Sequence, residues 1–409
     1  MTAMPTALSL DQAPRYSAIE APVASLSSRW PQYEADEIEA VREVLESGRV
    51  NALVHGDQTR AFEREFADFV GTDHAIAVAN GTLALELGLR ALGIGPGDEV
   101  IVPARSFFAS ASAVVAVGAV PVFADIDPVS QTIAPASAAR MIGPATRAIL
   151  CVHLAGWPCD MAALRALCDR HRLYLVEDCA QAHGAAIGGR RVGSFGDVAA
   201  FSFCTDKIMS TGGEGGMLTT GNRDLWVRAW AYKDHGKNPD ILAAAPGGTA
   251  FRYVHDSFGS NFRLTEMQAA IGRRQLAKLP DWLARRRANA AALAEALADH
   301  PAIAVPRPAA GTTSAWYKFN LQLHLDHLPA GASSESIVAA LRRRGISCGT
   351  GSCPDMSREG AFAGLAVKTD RGLPVARRVG ARNLMLAVDH LLDPRTMRRI
   401  ADAIRASIA

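Results

Sequence analysis

From about residue 74 to residue 220, apolar runs of strand length alternate with stretches of helical spacing. Residues 99–103, 120–124 and 173–178 are examples of the apolar runs. Parallel strands need crossover connections, and a helix in each crossover covers one face of the sheet. The alternation therefore predicts an α/β fold in which one mostly parallel sheet is covered by helices on both faces.

One lysine, Lys207, lies between the apolar run 198–203 and the glycine-rich sequence of residues 212–216. Glycines permit positive φ angles and let the backbone approach a ligand closely. A partly desolvated lysine has a lowered pKa, and its amine can then attack a carbonyl carbon. The alternative is a solvated lysine beside a tight turn, and this stretch alone leaves both interpretations open.

Another apolar run, 173–178, ends in two carboxylates, those of Glu177 and Asp178. In open α/β sheets, ligands bind beyond the carboxyl ends of the strands. An aspartate at such a place suits pyridoxal phosphate, because its carboxylate keeps the pyridine nitrogen protonated and the ring can then accept electrons. The alternative is that Asp178 caps a helix.

Three segments carry a combined signature: Glu-Asp-Cys-Ala-Gln-Ala-His-Gly-Ala at 177–185, Gly-Ser-Phe-Gly-Asp at 193–197, and Phe-Ser-Phe, Lys and Gly-Gly-Glu-Gly-Gly within 201–216. Together they resemble the sugar aminotransferases of the DegT/DnrJ/StrS family, from about Trp30 to the C-terminus. The resemblance implies an aspartate-aminotransferase-like fold of type I, with a small α+β C-terminal domain. It also implies pyridoxal 5'-phosphate as the cofactor.

The resemblance further implies roles for individual residues. Lys207 and Asp178 would be catalytic: Lys207 bonds to the cofactor aldehyde and later moves the proton, and Asp178 holds the pyridine nitrogen. We expect Ser106, His183 and Arg263 to contact substrate. The other implied cofactor contacts are Gly81, Thr82 and Ser202 at the phosphate, Phe107 on the ring, Gln181 near the phenolic oxygen, and Asn261 at the phosphate of the neighbouring subunit's cofactor.

For two of these contacts, the residues also favour other interpretations. The turn Asn80-Gly81-Thr82 joins a predicted strand to a predicted helix, and its backbone N–H groups and hydroxyl suit a phosphate. Any turn of this kind also suits a simple helix cap by Asn80 or Thr82. The ring of Phe107 suits a flat ligand, but it could equally belong to the core.

The chain divides into three predicted parts: a mobile arm at 1–29, a large cofactor-binding domain at 30–264, and connecting helices with a small domain at 265–409. Thr265 and Gln268 form a predicted capping box. After it we expect two helices, at 265–279 and 280–298, separated at Pro280. Asn261 and Arg263 precede the capping box, and the resemblance implies a homodimer whose active sites are shared between subunits.

Composition restricts the partners and the compartment. The 43 basic and 41 acidic residues nearly balance, so we expect no nucleic-acid and no membrane partner. The seven cysteines contain no Cys-x-x-Cys pair, which together with the lack of a signal sequence predicts reduced thiols in the cytoplasm. Asp125 and Asp127 have no nearby His or Glu, so we expect turn chemistry there and no metal.

The predicted reaction moves an amino group from an amino acid, expected to be L-glutamate, to a nucleotide-linked keto sugar. Such amino sugars enter surface polysaccharides or glycosylated natural products. The alternatives are elimination or dehydration on the same fold, a different keto substrate such as a cyclitol, and a non-catalytic regulator. Family dehydratases carry histidine in place of the lysine, so Lys207 disfavours dehydration. Cys204-Thr205-Asp206 departs from the His-Pro-Thr of many members, and we expect this to affect substrate choice.

Overall fold

The computed structural model describes residues 26–244 and 253–408 of the 409-residue chain. Its α-helices are α1 Ala35–Ser47, α2 Asp57–Val70, α3 Gly81–Ala91, α4 Ala109–Ala116, α5 Pro135–Met141, α6 Met161–His171, α7 Arg223–Lys233, α8 Pro239–Ala244, α9 Glu266–Leu297, α10 Ser334–Arg343, α11 Pro374–Arg382 and α12 Pro394–Ile408. Its strands are β1 His74–Val78, β2 Glu99–Pro103, β3 Val120–Ala124, β4 Thr146–Val152, β5 Tyr174–Asp178, β6 Ala186–Ile187, β7 Arg190–Arg191, β8 Val198–Ser202, β9 Gly216–Thr220, β10 Ile303–Ala304, β11 Thr312–Thr313, β12 Phe319–Leu323, β13 Cys348–Gly349, β14 Lys368–Thr369 and β15 Asn383–Leu386.

An eight-stranded sheet forms the centre of the molecule, in the order β1-β9-β8-β5-β4-β2-β3-β14. Strand β9 pairs antiparallel with both β1 and β8, and the pairings from β8 to β14 are parallel. The prediction of one mostly parallel sheet is confirmed. Because β5 and β8 are parallel neighbours, their carboxyl ends lie at the same edge.

Both faces of this sheet are covered, as the apolar runs predict. In β2, Val100 and Val102 belong to the core beneath α3, α4 and α7, whereas Ile101 points to the opposite core beneath α6. All three side chains are fully buried. Successive side chains of a strand point to opposite faces, so a continuous apolar run is what a sheet buried on both sides requires.

A second, antiparallel sheet of four strands, β10-β12-β15-β13, lies in the C-terminal part of the chain. It shares one core with α10, α12 and the end of α9. This is the small α+β unit that was predicted. Strand β14 leaves this part and pairs with β3 at the edge of the large sheet. The predicted division at residues 264 and 265 falls just before α9 and stays a prediction.

The two helices predicted around Pro280 are one helix, so that prediction was wrong. Helix α9 runs for 32 residues with Pro280 inside it, and it opens with the predicted capping box of Thr265 and Gln268. Proline removes one backbone hydrogen bond and costs about 3 kcal/mol in a helix interior. Leu279 and Leu283, on either side of Pro280, are buried in the same core. Burying each such side chain contributes about 1.5–3 kcal/mol, which is enough to keep the helix continuous.

Most of the predicted arm at 1–29 lies outside the described residues. Within the described ranges, no helix combines the length and the apolar character that crossing a membrane requires.

Candidate active site

The candidate site lies at the edge of the large sheet where β5 and β8 end. Asp178 is the last residue of β5 and pairs in register with Ala200 of β8. Ser202 ends β8, and Lys207 follows in the turn that leads to β9. The parallel pairing therefore brings two motifs that are distant in sequence to one edge.

The Asp178 carboxylate is almost completely buried. One oxygen accepts a hydrogen bond from the Ser110 hydroxyl at 2.7 Å, and the other accepts one from the Ala180 amide at 3.1 Å. The Ser106 hydroxyl lies 2.8 Å from that of Ser110, so Ser106 reaches Asp178 through it. Burial raises the pKa of Asp178, while Ser110, the Ala180 amide and the charge of Lys207 oppose the rise. A cation beside this carboxylate would therefore be strongly stabilised.

The adjacent carboxylate has a different environment. Glu177 accepts hydrogen bonds from the amides of Gly193, Phe195 and Gly196 at 2.9, 2.7 and 2.6 Å. Its side chain also lies 3.0 Å from Nε2 of His153. Glu177 thus anchors the turn between β7 and β8, and Asp178 is the carboxylate at the open edge of the sheet.

A glycine-rich turn presents Lys207. The Thr205 amide donates to the Gly213 carbonyl at 2.9 Å, which closes the turn. Gly213 has a φ of 116°, a conformation that residues with side chains rarely adopt. The Lys207 side chain is 14% exposed, and its Nζ lies 3.3 Å from Oδ1 of Asp206. The ring of Tyr317 packs beside the same ammonium, with its centroid 5.2 Å from Nζ.

The predicted phosphate contacts meet at the start of α3. Asn80 caps this helix by accepting a hydrogen bond from the Leu83 amide at 2.9 Å. The amides of Gly81 and Thr82 belong to the first turn and have no acceptor within the helix. A Cβ atom at Gly81 would lie 2.6 Å from Cβ of Ser202, so glycine is required for the turn to approach the end of β8. A helix cap and first-turn amides without a helical acceptor therefore coexist here.

Gln181 and His183 follow Asp178 and are both buried. The Gln181 side-chain oxygen accepts from the Ala155 amide at 2.7 Å, which leaves its NH₂ group to donate elsewhere. His183 packs against Phe201 and Phe203, and neither ring nitrogen has a hydrogen-bond partner of normal geometry among the described residues. Burial lowers the pKa of His183 to about 3, and the Lys207 charge acts in the same direction, so the ring is neutral.

The remaining predicted residues are at the surface or paired with other groups. Phe107 is 65% exposed, so the ring does not belong to the core of this chain. Asn261 is exposed, and the Phe262 carbonyl beside it accepts from the Ala79 amide at the end of β1. Arg263 donates twice to the Asp234 carboxylate, with both distances 2.7 Å. The chain thus links Ser106 to Asp178 through Ser110 and brings Gly81 close to Ser202, and it leaves Phe107 and Asn261 exposed.

Sequence reasoning missed two side chains at this site. Asp206 precedes Lys207 directly and was noted only as a departure from the family pattern. Tyr317 donates a hydrogen bond to Asp206 from 111 residues away in the sequence. No local pattern around Tyr317 points to this contact, because it depends on how the C-terminal part packs on the large sheet.

One group of possible metal ligands lies behind the site. Single ligand atoms of His153, Glu177 and Cys179 lie within 4.8 Å of one another, and all three residues are buried. Both Glu177 oxygens already accept backbone hydrogen bonds, and Nδ1 of His153 accepts from the Cys159 amide at 3.0 Å. The Glu177 oxygens and the His153 nitrogens are engaged by the protein itself, so we assign the group a structural role.

Comparison with known proteins places the chain in a family. Residues 31–405 match the model of the DegT/DnrJ/EryC1/StrS aminotransferase family. The chain belongs to this family. The family is pyridoxal-phosphate-dependent, and the members that are similar to this chain include transaminases. The predicted resemblance is therefore confirmed, and the chain is assigned to the aminotransferases.

Family members of several specificities are similar to this chain. It is 39% identical to the dTDP-3-amino-3,4,6-trideoxy-alpha-D-glucose transaminase of Streptomyces venezuelae, over 94% of this chain and 95% of the relative. It is 41% identical to the L-glutamine:2-deoxy-scyllo-inosose aminotransferase of Streptoalloteichus tenebrarius, over 76% of this chain and 75% of the relative. Among solved structures, the aminotransferase from Psychrobacter cryohalolentis is 44% identical, with a TM-score of 0.90 over 93% of this chain and 99% of the other. The predicted fold of type I is thus confirmed.

Proposed function

We propose that this aminotransferase moves an amino group from an amino acid, L-glutamate, to a nucleotide-linked keto sugar. The observation that carries the proposal is the joint position of Asp178, Ser202 and Lys207 at one edge of the sheet. Such amino sugars would serve a surface polysaccharide or a glycosylated natural product.

The residues at this edge fit the chemical groups of pyridoxal phosphate. The first-turn amides of α3, the Thr82 hydroxyl and Ser202 would bind the phosphate, with the turn held close by Gly81. Asp178 would bind the pyridine nitrogen, since burial favours pairing of this carboxylate with a cation. The free NH₂ group of Gln181 would donate to the phenolic oxygen.

Lys207 would bind the cofactor covalently and move a proton at the reacting carbon. When bound, the cofactor supplies an electron sink for the charge that develops when that proton leaves. A single amine could serve both tasks, because Lys207 would hold the cofactor when no substrate is bound and would be free as a base once a donor amine took its place. Its largely buried stem and fixed turn restrict the volume that the amine can sample.

We infer that Ser106 and Phe107 line the path to the substrate, and that the fully buried His183 supports the site from behind and has no direct substrate contact. Ser106 is linked to Asp178 through Ser110, and the neutral His183 ring lies behind the end of β8. The exposed Phe107 ring has its face available for the flat cofactor. For Arg263 we now propose an indirect role, because Asp234 already engages its guanidinium on two nitrogens.

A substrate panel tests this function. The purified enzyme, loaded with cofactor, is given L-glutamate or L-glutamine with keto sugars linked to dTDP, UDP or GDP, and separately with 2-deoxy-scyllo-inosose. We expect an amino sugar nucleotide and one 2-oxo acid per amine formed, with L-glutamate as donor. Turnover of the inosose alone would favour a cyclitol substrate. A deoxy product without incorporated amine would favour elimination or dehydration and contradict the proposal.

We also propose that the chain works as a homodimer with shared active sites. Asn261 is exposed, and its side chain would bind the phosphate of the partner subunit's cofactor. The segment nevertheless packs against the end of β1 in its own chain, so a site within one chain is the alternative. These two arrangements make opposite predictions for mixed subunits.

Mixing two impaired variants should raise activity above the sum of the separate variants if the sites are shared. We would combine equal amounts of Lys207→Ala and Asn261→Ala chains under conditions of subunit exchange. Half of the dimers are then mixed, and half of their sites carry neither defect, so activity should approach about a quarter of that of the wild type. Arg263 is left intact, because its removal would deprive the buried Asp234 carboxylate of two hydrogen-bond donors. If mass spectrometry shows mixed dimers and activity does not exceed that sum, the sites are not shared.

A further inference from the structure

The contacts of Asp206 set it apart from the other carboxylates near the site. Its Oδ1 lies 3.3 Å from Nζ of Lys207, and its other oxygen accepts a hydrogen bond from the Tyr317 hydroxyl. Within the described residues, this is the ion pair that Lys207 makes. Asp206 precedes Lys207 in the sequence, and its carboxylate lies beside the Lys207 amine. The hydrogen bond from Tyr317 fixes the orientation of this carboxylate.

Tyr317 is a firm support for this carboxylate. The residue is 7% exposed and belongs to the core formed by α2, α9 and the large sheet. The Arg286 guanidinium donates to the backbone carbonyls of Trp316 and Tyr317 at 3.2 and 3.4 Å, which holds this segment from behind. A buried ring with a fixed backbone confines its hydroxyl to a small region, so Asp206 is restrained although its own side chain is 56% exposed.

The other ionisable groups around Lys207 and Asp206 include both cations and acids. The Nζ of Lys318 lies 4.9 Å from the centroid of the Tyr317 ring, and the buried Arg286 donates to the backbone carbonyl of Tyr317. Asp178, Asp389, Cys204 and the neutral His183 are the further titratable groups near this cluster. Burial acts to raise the pKa of Asp206, but the Lys207 charge and the Tyr317 hydroxyl outweigh it, and the pKa is lowered. Asp206 is therefore ionised at neutral pH.

We propose that Asp206, held in place by Tyr317, is the counter-ion of the Lys207 nitrogen and keeps that nitrogen in its cationic form. This inference rests on the proposed covalent role of Lys207. A cationic nitrogen makes the carbon attached to it more electrophilic, so the donor amine attacks it more readily. When the freed Lys207 amine has taken up a proton, the same carboxylate would hold the resulting ammonium beside Tyr317. In this role Asp206 and Tyr317 are positioning residues, since both act through Lys207.

An optical pH titration of the holoenzyme tests the counter-ion. The visible absorbance of cofactor bound to Lys207 reports whether the nitrogen carries its proton. A nearby negative charge favours the cation, so Asp206→Asn should lower the midpoint of this titration. We expect a shift on the order of one pH unit, because the carboxylate is close but partly screened by water. The control Asp402→Asn removes an exposed charge on α12 and should leave the midpoint unchanged.

The role of Tyr317 is tested by Tyr317→Phe in the wild-type protein and in the Asp206→Asn variant. Tyr317→Phe should shift the midpoint in the same direction by less than Asp206→Asn does, because the carboxylate remains but is less restrained. In the Asp206→Asn background, Tyr317→Phe should cause no further shift if it acts through Asp206. An unchanged midpoint in Asp206→Asn with full cofactor occupancy would overturn the inference, and additive shifts would overturn the role of Tyr317. If wild-type protein shows no cofactor on Lys207, the proposed function itself fails.

Discussion

Lys207→Ala is expected to abolish transamination and to remove all covalent attachment of the cofactor. In the wild-type protein, borohydride should fix the cofactor to Lys207, and peptide mass spectrometry should find it there. The variant has neither the amine that forms the bond nor the base that moves the proton. Proton transfer by a positioned base alone contributes roughly 10²–10⁴ in rate, so we expect turnover to fall at least a thousandfold.

A second lysine provides the control for this variant. Lys368 is exposed on β14, the last strand of the large sheet, and pairs with Glu99 at the start of β2. It is therefore separate from the carboxyl ends of β5 and β8. Lys368→Ala should retain the covalent adduct and the wild-type rate. A borohydride-fixed adduct on any residue other than Lys207 would show that the assignment of the anchor is wrong.

Asp178→Asn is expected to bind the cofactor and to lose most of its activity. Asparagine has nearly the same shape and can still accept from Ser110 through its side-chain oxygen. It cannot stabilise a protonated pyridine nitrogen by charge, so the ring becomes a poorer electron acceptor. We expect a loss on the order of 4 kcal/mol of transition-state stabilisation, about a thousandfold in kcat/KM. Near-normal turnover would exclude this role.

The neighbouring carboxylate offers a matched comparison. Glu177→Gln keeps the shape of a side chain on the same strand but weakens hydrogen bonds to the amides of Gly193, Phe195 and Gly196. These bonds support the fold, so we expect a lower thermal midpoint and a rate per folded, cofactor-loaded enzyme within about tenfold of the wild type. Equal catalytic losses in both variants would mean that Asp178 has no special role at the ring.

The regular elements around the site could be predicted because their signals are local. A short continuous apolar run such as Val100, Ile101 and Val102 predicts a strand buried on both faces, and the prediction needs no knowledge of the neighbouring strands. The capping box of Thr265 and Gln268 likewise depends on residues within one turn. Lys207 and Asp178 were predicted as site residues because Asp178 ends such a strand and Lys207 follows another, at the edge where a parallel sheet collects its ligand-binding residues.

Tertiary packing decided the points that sequence left open. Pro280 predicts a break locally, but the core on both sides of it keeps α9 continuous. The motif around Arg263 predicts a substrate contact, but in the folded chain its guanidinium pairs with Asp234 at the end of α7. Both outcomes depend on contacts between distant segments, whose energies exceed the local preferences.

The sequence by itself determined the fold class, the family and the order of motifs along the sheet edge. It also placed two carboxylates at the end of β5, but the residues alone did not separate their tasks. Turn amides from Gly193 to Gly196 surround Glu177, and Ser110 reaches Asp178, so only the folded chain separates the structural carboxylate from the one at the site. In the same way, the orientation of the Asp206 carboxylate depends on a hydrogen bond from Tyr317, which is 111 residues away in the sequence. Hydrogen bonds depend on distance and angle in space, and neither is encoded in a local pattern.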